Sequence, residues 1–398
     1  MLRSYLTSAL RNLWKQKGYA AINILGLALG IAACSLLLIM LAQESGYDAF
    51  HEDIDRTYKV VRVTHKPKTP TDHTYLTFGP VGPSMEELYP EVDLSIRLFQ
   101  RWGHMTYEGR TFEGGITATD PRFFDLFDFK ILQGDPQTVF SEPYTAFITQ
   151  DLATRLFVDE DPIGKVVRVT ERYLPGDFVI RGILEDLPRN SHIGFEMLTA
   201  TIPDNQFAQP YWHDWRAQSG HRTIQTYIRL VEGADPQALE EKFPRLVSTY
   251  LGENLIDKID YRLMPMRRVW LYSQTDWNIG WYGDISVIYT ASYIAGFILL
   301  IACINYVNLS TARSQNRASE VGLRKACGAT RPQLAGQFLG ESLLVALMAT
   351  ALGLVGAKFL LPIYNEMTLR DASFDLLEPV VILGLFGIVA LVGLLAGL

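Results

Sequence analysis

The hydrophobic pattern of the chain is dominated by four long, nearly charge-free windows. They cover residues 18–42, 286–307, 338–361 and 379–398. Each window holds about the 20 residues that an α-helix, which rises about 1.5 Å per residue, needs to cross roughly 30 Å of hydrocarbon. The pattern therefore predicts four transmembrane helices, TM1 to TM4, in that order.

The first window also has features of a signal peptide, because Arg3, Arg11, Lys15 and Lys17 precede it. A signal peptide has only about 7 to 15 apolar residues before a small-residue cleavage site. The window here is longer and runs directly into the polar residue Gln43. We interpret it as a retained membrane anchor.

The segment before TM1, residues 1–17, has apolar side chains at helical spacing. This spacing predicts an amphipathic helix that lies in the membrane interface, although a frayed tail with chance periodicity is the alternative. The apolar face would consist of Leu2, Tyr5, Leu6, Ala9, Leu10, Leu13 and Trp14.

The distribution of Lys and Arg predicts the orientation of the helices. Residues 1–17 and 308–337 are basic, whereas residues 362–378 contain only Arg370 against four acids. Because short cytoplasmic flanks are enriched in Lys and Arg, the N-terminus and residues 308–337 are expected in the cytoplasm. Residues 43–285 and the loop 362–378 are then expected on the outer side.

The long outer segment has the alternation typical of a mixed α and β domain. Tyr58–Thr64 and Thr223–Val231 have β-branched and aromatic residues at strand spacing, and Gly82–Tyr89 and Asp235–Tyr250 have helical patterns. Residues of about 105–200 are denser in short strands and turns. The pattern predicts an α+β domain with two subdomains, inserted between TM1 and TM2.

Composition narrows the possible functions. The chain has 36 Lys and Arg against 43 Asp and Glu, for a net charge of −7, so the basic surface of a nucleic-acid-binding protein is not expected. The three cysteines, Cys34, Cys303 and Cys327, all lie outside residues 43–285. The outer domain must therefore be stable without disulfides.

Motifs for catalysis are missing from the sequence. The pattern G-x-x-x-x-G-K-[ST], which would bind ATP, does not occur, and neither does H-E-x-x-H, G-x-S-x-G or a cysteine pair at zinc spacing. We therefore expect no catalytic residues, no metal site and no directly bound cofactor.

The basic segment 308–337 has the most informative pattern. The helix of TM2 is expected to continue as a polar stalk through Asn308, Ser310 and Arg313. Gly328 and the residue after it then break the helix. Thr330 begins T-R-P-Q, in which Thr330 and Gln333 are spaced as a capping box for a new helix.

Two interpretations of this segment remain open. Its positive charges could serve only to orient the protein and to bind anionic lipid. Alternatively, they could form a docking element for an acidic cytoplasmic partner. Charge alone does not distinguish the two.

Several stretches resemble the MacB/FtsX-type ABC transporter permeases. The most specific match is in the basic segment, and the resemblance extends over nearly the whole chain. The matching stretches are NLSTARSQNRASEVGLRKACGAT, QFLGESLL, RNLWKQKGYAAINILGLALGIAACSLL, FVDEDPIGKVVRV, VIRGILEDLPRNSH and GLLAGL.

The resemblance implies a permease that does no chemistry itself. In that family, a cytoplasmic ABC ATPase dimer uses ATP and drives the periplasmic domains through a stalk and a coupling helix between TM2 and TM3. The outer domain would comprise a porter-like part, about 43–104 and 201–285, and a strand-rich insertion, about 105–200. The ATPase-coupling residues would be Arg317, Glu320, Gly322, Arg324, Lys325 and Gly328.

The resemblance also implies a multi-pass protein of the bacterial inner membrane, in contact with membrane lipid. No ATPase is fused to this chain, so the ATPase would be a separate polypeptide. Eight-helix members of the family repeat a pattern of one helix, an outer domain and three helices, and this chain matches the first half. We expect a truncated eight-helix permease that pairs with a second half. A four-helix protein that pairs with a second copy is the alternative.

The expected work is export, lipoprotein release or regulation of an envelope enzyme. A different class of function also fits the predicted topology. A membrane-anchored sensor or receptor would bind a ligand with its outer domain and contact a signalling partner through the basic segment.

Overall fold

The computed structural model describes most of the outer domain and three long helices. It describes residues 17–65, 72–158, 160–200, 212–213, 224–273, 283–326, 330–368, 382–387 and 390. Residues 1–16 of the predicted amphipathic helix and most of TM4 lie outside the described residues. Two compact units result, one of Met1–Ser45 with Ile285–Leu398 and the other of Gly46–Asp284.

The elements are numbered in chain order. The described helices are α1 (Lys17–Ser45), α2 (Val81–Leu88), α3 (Pro136–Ser141), α4 (Gln150–Phe157), α5 (Pro236–Glu240), α6 (Phe243–Tyr250), α7 (Met266–Tyr272), α8 (Ile285–Ala326) and α9 (Arg331–Thr368). The described strands are β1 (Thr57–Thr64), β2 (Asp72–Thr74), β3 (Val92–Tyr107), β4 (Arg110–Thr119), β5 (Ile131–Gln133), β6 (Thr145–Thr149), β7 (Val166–Thr170), β8 (Gly176–Leu184), β9 (Met197–Ala200), β10 (Ile224–Leu230) and β11 (Ile259–Pro265).

Within the described part of the chain, α1, α8 and α9 are long and apolar enough to cross a membrane. Their apolar spans are Ala20–Glu44, Ile285–Asn305 and Ser342–Glu366. These spans fall within a few residues of the predicted TM1, TM2 and TM3. Of the predicted TM4, residues 382–387 and 390 are described and helical.

The helix α9 continues past Pro362, so the loop predicted at 362–378 begins later than expected. A proline inside a helix removes one backbone hydrogen bond, but neighbouring helices can compensate in a membrane protein. Here Tyr364 packs with Ile39 of α1 and Leu361. This packing favours helix beyond the proline, and α9 ends only at Thr368.

Small residues let α1 pack closely against α8 and α9. A Cβ at Gly30 would lie 3.1 Å from the Cβ of Ala302 in α8. Close approach of helix backbones through small residues is the usual basis of helix association in membranes. The buried cluster consists of Leu27, Ala28, Ile31, Cys34, Ala302, Cys303, Ala346 and Ala349.

Replacing Gly353 by alanine is expected to destabilise this unit, whereas the same change at Gly356 should not. A Cβ at Gly353 would lie 2.9 Å from the carbonyl oxygen of Ala28 and 2.9 Å from the Cγ2 of Ile31. A Cβ at Gly356 would lie 3.6 Å from the Cβ of Ala32, an ordinary contact. Such overpacking costs about 1–3 kcal/mol, and both changes gain similar helix propensity.

Thermal unfolding of the two full-length variants in the same lipid nanodiscs measures this difference. Gly353→Ala should unfold at the lower temperature. Equal midpoints for Gly353→Ala and Gly356→Ala would contradict the close approach of α9 to α1.

The unit Gly46–Asp284 contains one sheet of eleven described strands. The order along the sheet is β11-β1-β10-β3-β4-β9-β6-β8-β5, with β2 paired to β1, and β7 paired to both β3 and β8. Most pairs are antiparallel, but β4 pairs with β9, and β6 with β8, in parallel. The predicted strands at Tyr58–Thr64 and Thr223–Val231 correspond to β1 and β10, which are neighbours towards one end of the path.

The strand β3 joins the two predicted subdomains without a break in the sheet. Its 16 residues run across the predicted boundary near residue 105. Side chains alternate between the two faces, so that Leu94, Ile96 and Leu98 pack into one hydrophobic cluster, and Phe99 and Met105 into another. The sheet is therefore covered on both faces, and the subdomain layout stays a prediction.

The helical region predicted at Asp235–Tyr250 consists of two helices, α5 and α6. The side chain of Asp235 accepts a hydrogen bond from the backbone of Gln237 and caps α5. A second proline, Pro244, lies in the first turn of α6 and favours a new helix start there. The prediction of one helix was wrong because Pro244 provides a second helix start within this region.

Candidate functional site

The basic segment is part of a single helix. The helix α8 extends for 42 residues, from Ile285 to Ala326, whereas its apolar span ends at Asn305. About 21 residues therefore extend beyond the apolar span, a length of roughly 32 Å. The next helix, α9, begins at Arg331, only a few residues later.

The predicted stalk and most predicted coupling residues lie on this extension of α8. Asn308 is exposed, and for the other positions only the helical backbone is described. Gly328 lies outside the described residues. The positions on α8 are Asn308, Ser310, Arg313, Arg317, Glu320, Gly322, Arg324 and Lys325.

Helical register places three of the basic residues at positions that share one face of α8. Arg313, Arg317 and Arg324 are four and seven residues apart, which corresponds to nearly whole turns, and Glu320 lies between them on the same side. Lys325 falls about a third of a turn away. These positions therefore form a basic stripe along the helix, with one acid in it.

The start of α9 matches the predicted capping pattern in its positions. Thr330 immediately precedes Arg331, the first residue of α9, and Gln333 is the third. A threonine before the first residue is a favoured N-cap. The specific roles of Thr330 and Gln333 stay predictions.

A second candidate site is a chain of buried polar side chains inside the outer unit. His192 Nδ1 donates to the Oδ2 of Asp48 over 2.6 Å, and His192 Nε2 lies 2.8 Å from the hydroxyl of Tyr227. That hydroxyl donates to Gln225 Oε1 over 3.2 Å. The Nζ of Lys59 donates to the same oxygen over 2.5 Å. The chain links the segment after α1 to β10 and β1 in the sheet.

Burial changes the acid–base properties of Lys59. Its side chain has no exposed surface, and its Nζ lies 5.0 Å from the ring centre of Tyr75 and 5.2 Å from that of Tyr227. Burial lowers the pKa of Lys59 to about 7, and the nearby charge of Asp48 raises it only in part. This lysine can therefore lose its proton near neutral pH.

The pKa values of Asp48 and His51 in this region are shifted as well. Burial raises the pKa of Asp48, but the charge and hydrogen bonds of His192 outweigh it, so the pKa is lowered overall. Burial lowers the pKa of His51 to about 4, against the opposing effects of Asp48 and Asp128. The Nδ1 of His51 accepts a hydrogen bond from the backbone of Asp128 over 2.9 Å, so the neutral ring carries its proton on Nε2.

A cavity of about 870 Å³ adjoins this chain of polar side chains. Its walls include the stacked rings of Tyr47 and Trp270, the largely exposed indole of Trp102, and His192 and Glu196. Burial raises the pKa of Glu196. Mixed aromatic and polar walls of this kind are typical of ligand pockets. Within the described residues no cluster of ligands could hold a metal ion.

The sequence analysis missed the buried polar chain. Asp48 and His192 are 144 residues apart, so no local pattern connects them. A signal was present in the stretch VIRGILEDLPRNSH, which ends at His192. It contributed to the family resemblance but was not linked to a contact.

Comparisons with known proteins cover both units. A family model described as MacB-like periplasmic core domain matches residues 20–246. A second model, described as FtsX-like permease C-terminal, matches residues 292–398. Together the two models account for most of the chain.

Two curated relatives illustrate the level of similarity. The chain is 26% identical over 257 residues to the uncharacterized ABC transporter permease YknZ of Bacillus subtilis (strain 168), which covers 64% of this chain and 53% of YknZ. It is 23% identical over 257 residues to the macrolide export ATP-binding/permease protein MacB of Neisseria meningitidis. That alignment covers 64% of this chain and 36% of the relative. The chain thus spans only about half of one relative and a third of the other.

Two solved structures match part of the chain at low identity. The periplasmic region of MacB from Actinobacillus actinomycetemcomitans has a TM-score of 0.38 and 13% identity, and covers 54% of this chain and 90% of that one. The extracellular domain of the noncanonic ABC-type transporter YknZ from Gram-positive bacteria has a TM-score of 0.38 and 12% identity, and covers 52% of this chain and 99% of that one.

Proposed function

The chain belongs to the MacB/FtsX-type permeases of ABC transporters, and from this premise we propose that it couples ATP hydrolysis by a separate cytoplasmic ATPase dimer to conformational work of its outer domain. The family accounts for the apolar helices and for the MacB-like periplasmic domain. The ATPase would bind and hydrolyse ATP, and this chain would bind no cofactor itself.

One observation carries this proposal. The uninterrupted helix α8 joins the end of the outer unit, at Asp284, to a basic stripe beyond the apolar span. A continuous helix transmits a displacement from one end to the other because its backbone hydrogen bonds resist bending. We assign ATPase docking to Arg317, Arg324 and Lys325, with Glu320, Gly322 and Gly328 completing the coupling element.

The membrane arrangement follows from the same proposal. The N-terminus and residues 308–337 would face the cytoplasm of a bacterium, and residues 43–285 the periplasm. TM4 would complete four helices. A second permease half or a second copy of this chain would supply the other docking element for the ATPase dimer.

For the function of the outer domain, we propose three general classes. The Neisseria meningitidis relative is described as a macrolide exporter, so export of a small molecule is one possibility. Lipoprotein release and regulation of an envelope enzyme are the others. The described apolar helices offer few polar groups with which to line a pore, which favours work on the periplasmic side.

Stimulated ATPase activity tests the proposed coupling. The full chain is reconstituted in nanodiscs together with the ABC ATPase that the proposal expects in the neighbouring reading frame, and ATP hydrolysis is compared with that of the ATPase and empty nanodiscs. We expect a specific complex and a several-fold change in the hydrolysis rate. If the two proteins neither bind nor change hydrolysis, the permease function is wrong.

A sensor is the second candidate function, and the cavity beside Trp102 favours it. A sensor would bind a ligand there, and its gene neighbour would encode a kinase or response regulator rather than an ATPase. The neighbouring reading frame therefore distinguishes the two functions before any biochemistry.

A further inference from the structure

The three residues that follow α1 are fastened to one loop of the outer unit. The side chain of Asn190 donates to the carbonyl oxygen of Gly46 over 3.0 Å, and the backbone N–H of Asp48 donates to the carbonyl oxygen of Asn190 over 2.7 Å. The backbone N–H of His192 donates to Asp48 Oδ1 over 3.0 Å. With the bond between the Asp48 and His192 side chains, four hydrogen bonds hold a segment of three residues. We call this contact, Gly46–Asp48 with Asn190–His192, the clasp.

The buried part of the clasp is well suited to resist force. The side chains of Asp48 and His192 are each only 1% exposed, so water cannot readily replace the bond between them. Charge-assisted hydrogen bonds in such surroundings are stronger than those between neutral groups. Asp48 also has a φ of 59°, a conformation that non-glycine residues rarely adopt and that here aims its backbone and side chain at the same loop.

The clasp is connected directly to an interior strand of the sheet. His192 contacts the hydroxyl of Tyr227 in β10, which lies between β1 and β3. Tyr227 is fully buried. A displacement of Asp48 would therefore act on β10 through two rigid rings, without passing through a flexible loop.

The part of the chain that leads towards α8 contacts Tyr47, the residue next to Asp48. The ring of Tyr47 stacks on that of Trp270 with centroids 3.6 Å apart and planes 4° apart. Trp270 belongs to α7, which precedes α8 in the chain. The chain leaving α1 and the chain leading towards α8 are thus in contact with each other inside the outer unit.

We propose that the clasp and the stack of Tyr47 on Trp270 form the mechanical joint through which movement of α1 is delivered to the outer sheet. The source of that movement rests on the proposed function, but the strength of the joint does not. Its defining property is direction: it lies on the path of a load that arrives along α1, and its loss should weaken the unit against that load but not against a load that bypasses it.

Single-molecule pulling on the full chain tests this property. The chain is held in lipid nanodiscs in magnetic tweezers, with its three native cysteines replaced by alanine. One handle is on the N-terminus and the other on a cysteine at Glu113, an exposed position in β4, so that the load passes along α1. For the control direction, the handles are on cysteines at Glu113 and Thr249, so that the load does not pass through the clasp.

The variant His192→Gln keeps a polar group near Tyr227 but loses the hydrogen bond that Nδ1 makes with Asp48. The variant His192→Asn keeps a donor at the position of Nδ1 and so keeps the hydrogen bond with Asp48. Opening of the clasp should release residues 46–50, about 17 Å of extended chain, because His51 beyond them stays buried and bonded to Asp128. Losing a buried charge-assisted hydrogen bond should make this step about 10- to 100-fold faster at the same force. We expect the acceleration with His192→Gln, along α1 only, and its reversal with His192→Asn.

Should His192→Gln fail to fold, Asn190→Ala provides the same test, because it removes a bond at the surface and leaves the buried pair intact. Equal acceleration in both directions would show that the contact only stabilises the domain, and an unchanged step would show that it carries no load. Either result would rule out the proposed mechanical joint. No ATPase or nucleotide is present, so the outcome is independent of whether the ATPase assay succeeds.

Discussion

Reversing Arg317, Arg324 and Lys325 to glutamate is expected to abolish binding of the ATPase to the permease. Two of these residues occupy the basic stripe of α8 and the third lies beside it. Like charges that meet across an interface cost several kcal/mol, so the affinity should fall at least about 100-fold. Co-purification and stimulated ATP hydrolysis in nanodiscs measure the loss.

A charge swap separates docking from membrane orientation. Exchanging Glu320 and Arg324 keeps the net charge of the segment and the i,i+4 pair, so the positive-inside signal is unchanged. If the charges only orient the protein and bind lipid, this double variant should behave like the wild type. Docking predicts weaker ATPase binding, with unchanged accessibility of the outer domain to added protease. Full binding by both the swapped and the reversed chains would contradict the docking assignment.

Replacing Lys59 by methionine is expected to remove a pH dependence of stability. The pKa of Lys59 is about 7 in the folded protein, below its ordinary value of 10.5. Between these values the unfolded chain binds more protons than the folded one, so the free energy of unfolding rises with pH. Below pH 7 the full cost of the buried charge is present. A difference of about 3.5 pKa units corresponds to roughly 5 kcal/mol.

Chemical unfolding of the full chain at a series of pH values measures this effect. The stability of Lys59→Met relative to the wild type should be greatest near pH 6 and should decline towards pH 10. The matched control is Lys130→Met, because the Lys130 side chain is 65% exposed and pairs with Glu185 at the surface. A constant difference between Lys59→Met and the wild type across this pH range would mean that Lys59 keeps its ordinary pKa.

The membrane helices were predictable because their signal is local. A run of about twenty mostly apolar residues indicates a membrane-spanning helix without any other information. The helices α1, α8 and α9 each contain such a run. The end of α9 was less predictable. Pro362 is a helix breaker by local rules, yet the helix continues past it, and Tyr364 beyond it packs against Ile39 of α1.

The strands of the outer domain were partly predictable for the same reason. The pattern at Tyr58–Thr64 identifies β1, since alternation of β-branched and aromatic residues is a property of the strand alone. The order of the strands is not local. That β10 lies between β1 and β3 depends on pairing between residues more than 100 positions apart.

The buried polar chain could not be predicted from the sequence. Lysine in a strand usually faces the solvent, yet Lys59 in β1 is completely buried. Its hydrogen-bond partner Gln225 is 166 residues away. A lysine is buried only where a specific partner compensates it, and the identity of that partner depends on the tertiary fold.

The length of α8 has a geometric consequence for how force and distance are exchanged across the membrane. The centre of its apolar span, near residue 295, is about 15 Å from the outer end at Ile285 and about 46 Å from the far end at Ala326. If the rigid helix tilts by about 10° around that centre, the far end moves roughly 8 Å and the outer end roughly 3 Å. A broad stroke at the far end therefore becomes a short displacement with about threefold greater force at the end that joins the outer domain.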